Sequence, residues 1–116
     1  MPYITTENVK MIRNRIKKEF PNIKFSVTRR HYSEVVVAIM ESDIDFGTTH
    51  QQINEFYIER NWEHNPVAKE LLLKVMEIVE TTHEQKELVY DQDYGSVPNY
   101  YISIQIGKWD REYVKR

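Results

Sequence analysis

Residues 34–40 read Glu-Val-Val-Val-Ala-Ile-Met. Successive side chains of a strand point to opposite faces, so a run apolar at every position from 35 to 40 has no face to leave in water. The segment is expected as a central strand, or one covered on both sides. Its three valines and isoleucine suit a pleated surface. The rest of the fold must supply partners on each side of it.

The neighbouring segments do so. Residues 23–29 place apolar side chains at Ile23, Phe25 and Val27, the alternation of a strand with one buried face. Residues 30–33 form a short connection, so the two strands are expected to be antiparallel. Ahead of them, Thr5 or Thr6 caps a helix. With Thr5 as the cap, Ile4 and Val9 take the positions of a hydrophobic staple. Val9, Ile12, Ile16 and Phe20 form its apolar stripe, Pro21 ends it, and Met11 falls on the outside. Lys10, Arg13, Asn14 and Lys17 flank the stripe.

Beyond the central strand, residues 43–49 are polar and contain Gly47, as a loop would. Tyr57 and Phe56 favour a third antiparallel strand at 53–58, and a helical turn at 59–63 is the alternative. Asn65-Pro66 is a helix start, with the cap at 65 and proline at the first helical position. Ala68, Leu71, Leu72, Val75, Ile78 and Val79 give this helix a wide stripe to about residue 82. Residues 81–99 are polar, with room for a short strand at 88–90. The last strand is expected at 100–106, with Ile102, Ile104 and Ile106 on one face and Gly107 closing it. In the tail, Trp109 and Tyr113 are positioned to fold back. The expected fold is a single α+β domain over residues 1–116, in the order α-β-β-(β)-α-β. Its three- or four-stranded, mainly antiparallel sheet carries both helices on one face.

Totals exclude several function classes. The 116 residues are 41% hydrophobic and 29% charged, the balance of a folded domain. There is no cysteine, so disulfides and thiolate zinc sites are excluded. No apolar run approaches the roughly 20 residues of a membrane helix, and the first residues lack a secretory pattern. A cytoplasmic protein with no membrane contact is the default reading.

Catalytic motifs are sparse. His31, His50, His64 and His83 are scattered without ligand spacing, so no metal is implied. No serine sits in a nucleophile frame, and Gly47, Gly95 and Gly107 stand too far apart to cradle a phosphate. No cofactor is implied. Asp91 and Asp93 in the loop DQDYG, with His31 as a further candidate, are what an enzyme would have to use. Loops carry Asp and Gly for turn chemistry alone, so nothing argues for an enzyme.

Charge gives a stronger signal. Residues 1–30 hold eight basic and two acidic side chains, a net of +6, against eight and sixteen, a net of −8, in the remainder. Lys10, Arg13, Lys17, Lys18, Arg29 and Arg30 are candidate phosphate contacts, because phosphate backbones reward such patches through counterion release. A solvated basic face is the bland alternative. The element order is similar to that of double-stranded-RNA-binding domains, but the start of the second helix, NPVAKELLL, offers only Lys69 followed by Glu70. Aromatic residues crowd the last quarter. Tyr94, Tyr101, Trp109 and Tyr113 are candidates for an interaction surface, or for cover over the sheet. A two-layer fold leaves one sheet face open, through which a homodimer would form.

Three stretches carry a resemblance. ITTENVKMIRNRIKKEFPNIKFSVTRRHYSEVVVAIM, INEFYIERNW and YYISIQIGKWDREY resemble the twenty-ninth domain of the large polyvalent protein-associated series. The segment Gly107 to Asp110, GKWD, is the most specific piece. The likeness thins out at 41–52 and 81–98. It implies a domain encoded by phages, plasmids and conjugative elements, standing alone or within very long proteins. The resemblance implies no catalytic residues. The expectation is a non-enzymatic accessory domain of a mobile element that binds nucleic acid or another protein of that element.

Overall fold

A computed structural model describes residues 4–31, 33–54, 57–82, 90–91, 95–96 and 101–116. Helix α1 spans Thr6–Glu19. Thr5 is its cap, with Oγ1 accepting a hydrogen bond from the Asn8 amide at 3.1 Å, and Ile4 and Val9 are both buried. Strands β1 (Lys24–Arg30) and β2 (Glu34–Ser42) form the expected antiparallel hairpin, pairing Phe25 with Ile39 and Val27 with Val37.

Strand β3 is Gln51–Ile53 and helix α2 is Ile58–Asn61. The third strand therefore ends where it was expected to begin, and the helical alternative holds just beyond it. Burial gives the reason. Ile58 and Trp62, four apart, are 2% and 4% exposed, which is one face of a helical turn. Helix α3 is Pro66–Thr82. Asn65 caps it through Oδ1, which accepts from the Ala68 amide at 3.3 Å, and Asn65 Nδ2 donates to the Asp45 carbonyl at 2.9 Å. All six residues of its expected stripe are buried.

The short strands β4 (Tyr90–Asp91) and β5 (Gly95–Ser96) pair with each other, and β6 is Tyr101–Ile106. Strand β7, Val114–Lys115, completes the main sheet. The order is β1-β2-β6-β3, with β7 also on β2. Helices plus an open, mostly antiparallel sheet of four to five strands make this an α+β fold. Its central pairing is parallel, however, with Val35, Val37 and Ile39 opposite Ile102, Ile104 and Ile106. A parallel neighbour cannot be reached by a tight turn, and the segment holding α3 supplies the crossover.

Val27, Val37, Ile39, Ile53 and Ile104 share one sheet face and one core cluster with the stripes of α1 and α3. Both long helices thus cover the same face. The other face of β2 is closed too: Val36, Ala38 and Met40 are 7%, 0% and 6% exposed. The strand is buried on both faces, as its composition demanded. Burying one such aliphatic side chain contributes about 1.5–3 kcal/mol.

Strands β6 and β7 lie on the same side of β2. Lys24 of β1 occupies the opposite side at Glu41, and β7 pairs with Glu41 and Ser42 just past the end of β6. The chain therefore leaves the ladder at Gly107 and rejoins it at Val114.

Candidate nucleic-acid interface

Strand β1 is an edge of the sheet, and α1 lies along it. Arg13 leans from the helix onto the strand, donating from Nη2 to the Val27 carbonyl at 2.6 Å. Two clefts meet at this arginine. One, of about 340 Å³, is lined by Lys10, Arg13 and Arg29, with Glu7 as its acidic member. Arg29 Nη1 also donates to the Ile4 carbonyl at 3.3 Å, which ties the end of the strand to the start of the helix.

The second cleft, of about 460 Å³, wraps the edge of β1. Helix α1 contributes Arg13 and Lys17, β1 contributes Lys24, and the 107–113 excursion contributes Lys108 and Arg111. Ile16, Phe25 and Met40 form an apolar floor, and among the described residues no carboxylate lines it. Asp110 and Glu112 belong to the same excursion but stay outside the cleft. Lys24 keeps one counterion, Glu41, at 3.2 Å. The lysine of that pair is exposed to solvent, which keeps its contribution to stability small.

A backbone frame fixes the excursion. The Gly107 amide donates to Ile39 O at 2.8 Å, and Lys108 and Arg111 exchange amide–carbonyl bonds at 2.7 and 3.1 Å. The Tyr113 amide donates to Thr49 O at 2.9 Å. Trp109, at the tip, is 87% exposed.

The structure sorts the sequence candidates. Lys10, Arg13, Lys17 and Arg29 line the two clefts. Lys18 is exposed on α1 but lines neither, and Arg30 is paired with Glu34 in the hairpin. Lys24, Lys108 and Arg111 were missed as members of the site. The last two lie about 90 positions beyond α1 in the chain, and only the return of β6 beside β2 brings them near. Tyr101, 53% exposed, remains a surface residue. Tyr94 and Asp93 lie outside the described residues, and of Asp91 only the backbone is described. His31 is the left-handed residue of the β1–β2 turn, with φ 54°.

Tyr113 was a candidate for an interaction surface or for cover folded back on the sheet; at 5% exposed it is no surface residue, and the second alternative holds. Its hydroxyl pairs with Ser42 Oγ and donates to the Ile44 carbonyl at 2.6 Å, so the polar tip is satisfied inside the core. Burial pushes its pKa above the usual tyrosine value of 10.0, partly offset by the Ser42 bond. The folded state thus holds this proton more tightly than the unfolded chain does. The resulting stability is complete below the unfolded pKa and is lost as pH rises through the folded one. The difference in thermal midpoint between the wild type and Tyr113→Phe should stay flat below pH 10 and shrink above it. A difference that grows with pH would contradict this assignment.

A third cleft, of about 510 Å³, lies between the end of α1 and the start of α3. Glu19, Glu70 and Lys74 give it mixed charge over an apolar floor of Phe20, Ile23 and Leu71. Among the described residues, no cluster of three or more His, Cys, Asp or Glu side chains is placed to hold a metal ion. No helix among them is long and apolar enough to cross a membrane.

The family model described as large polyvalent protein associated domain 29 matches residues 3–95. No curated protein and no solved structure matches the chain.

Proposed function

For a chain that belongs to the large polyvalent protein associated domain 29 family, we propose a non-enzymatic accessory role in a mobile genetic element, exercised by binding nucleic acid along the α1–β1 edge. One observation carries the reading. Cations from three separate stretches, Arg13 and Lys17, Lys24, and Lys108 and Arg111, converge on one cleft that no carboxylate among the described residues lines. Charges brought together from distant parts of a chain raise the local potential far more than the same charges spread over a surface. The adjoining cleft extends the track through Lys10 and Arg29. Phosphates along a backbone match such a row, and each neutralised phosphate releases a counterion.

Self-association through the open sheet face has less support. Val36, Ala38, Met40 and Ser103 on that face are already buried, which leaves Tyr101 as its exposed large apolar side chain among the described residues. A stable homodimer needs a larger apolar patch.

Anisotropy titrations of random-sequence DNA, single-stranded and duplex, at two salt concentrations test the reading. The double variant Lys17→Ala/Lys24→Ala should bind more weakly. It should also flatten the slope of log affinity against log salt by about 1.4 for single strands or 1.8 for duplex. Lys69→Ala, on the far helix, should change neither. Absence of binding at low salt, or an unchanged slope in the double variant, would overturn the proposal.

A further inference from the structure

We propose that Trp109 is a stacking platform for an unpaired base and makes the edge cleft selective for single-stranded nucleic acid. The inference rests on the cleft reading above and adds the class of strand. A tryptophan is ordinarily among the well-buried residues, yet this indole is 87% exposed. It stands at the tip of the 107–113 excursion, between Lys108 and Arg111, two of the cations that line the cleft. A phosphate held by those side chains would bring the attached base to the indole.

The platform is held in advance. Lys108 and Arg111 close the turn with two backbone hydrogen bonds, and Gly107 and Tyr113 anchor its two ends. Little ordering remains to be done when a base arrives. Every base has a π-face, so stacking of this kind is indifferent to sequence. It requires a base out of its helix, which a duplex supplies only after melting. Cationic tracks interleaved with aromatics are how single-strand binders work in general.

The experiment uses the full chain, a 15-mer of deoxythymidine, a random 15-base-pair duplex, and vesicles containing phosphatidylserine. Trp62, 4% exposed and stacked on His64, is the second tryptophan of the chain, so quenching by the oligonucleotide reports on Trp109. Binding of the 15-mer should quench the wild type and leave Trp109→Phe unquenched. Trp109→Ala should weaken the 15-mer by roughly 5- to 150-fold, equally at both salt concentrations because no charge is lost. Trp109→Phe should keep most of the affinity, and the duplex should respond less than twofold to either change.

The stacking proposal falls, with the cleft reading intact, if both nucleic acids bind and Trp109→Ala affects neither. It also falls if the indole is unquenched at saturation. Both readings fall if neither nucleic acid binds at low salt. Binding to the vesicles without binding to the 15-mer would assign Trp109 to a lipid surface and overturn the proposal.

Discussion

Gly107→Ala is expected to lower the thermal midpoint by about 10 °C or more, which corresponds to a loss of about 3 kcal/mol. The backbone here has φ +69°, where a side chain is strained in any surroundings. Space is also lacking: a Cβ would meet the Tyr113 amide nitrogen at 2.8 Å and Thr49 O more closely still. Both obstacles are backbone atoms and belong to one hydrogen bond, so neither can rotate away. Gly47 provides the control. Its φ is +76°, but nothing lies within 4 Å of its Cβ position, and alanine there should cost only about 1 kcal/mol. Thermal melts of the two variants side by side would separate strain from collision. Equal losses would mean that crowding at Gly107 plays no part.

Phe46→Ala should cost about 3–5 kcal/mol in urea unfolding. Phe46 is 5% exposed and joins two elements that are distant in the chain. Its ring meets Trp62 edge-on at 5.9 Å and 88°, and Tyr113 at 5.0 Å and 79°. Truncation removes the partner of both rings and opens a cavity under the 43–49 loop. Phe46→Leu should recover most of the loss, since it refills much of the volume but not the edge contacts. A cost below about 1 kcal/mol for alanine would show that the loop closes over the gap. Both substitutions act on the frame of the Trp109 turn, Gly107 at one end and Tyr113 at the other. Their effect on oligonucleotide binding should follow their effect on the fold.

The local elements were readable because each is dictated by neighbours in sequence. Thr5 and Asn65 announce their helices with a cap, and residues 23–40 announce a hairpin by alternation and composition. The third strand was misplaced because Phe56 and Tyr57 have high strand propensity, whereas the real strand, Gln51–Ile53, is a three-residue edge with one buried side chain. Propensity is a weak guide where so few side chains pack. The parallel placement of β6 depends on what lies between it and β2, which no local pattern encodes. The same holds for the site. Its α1 half was legible as a charge cluster. Lys108 and Arg111 carry no local signal of a site, and the tail pattern left Tyr113 open between surface and cover. Their roles follow from register, which places the excursion over the end of β2.

The parallel ladder also sets an order of events. Glu34 pairs with Tyr101 and Ile39 with Ile106, so each rung closes a gap of 67 positions (101 − 34 and 106 − 39). The β1–β2 hairpin closes locally and early, while loop entropy delays the long-range pairing. In this chain the most aliphatic strand of the sheet has one side unpaired until residues 101–106 are in place beside it. Such a strand is the sort of segment that captures its own kind in a crowded cell. Prompt pairing of residues 101–106 with β2 should therefore limit self-association of that strand while the chain folds.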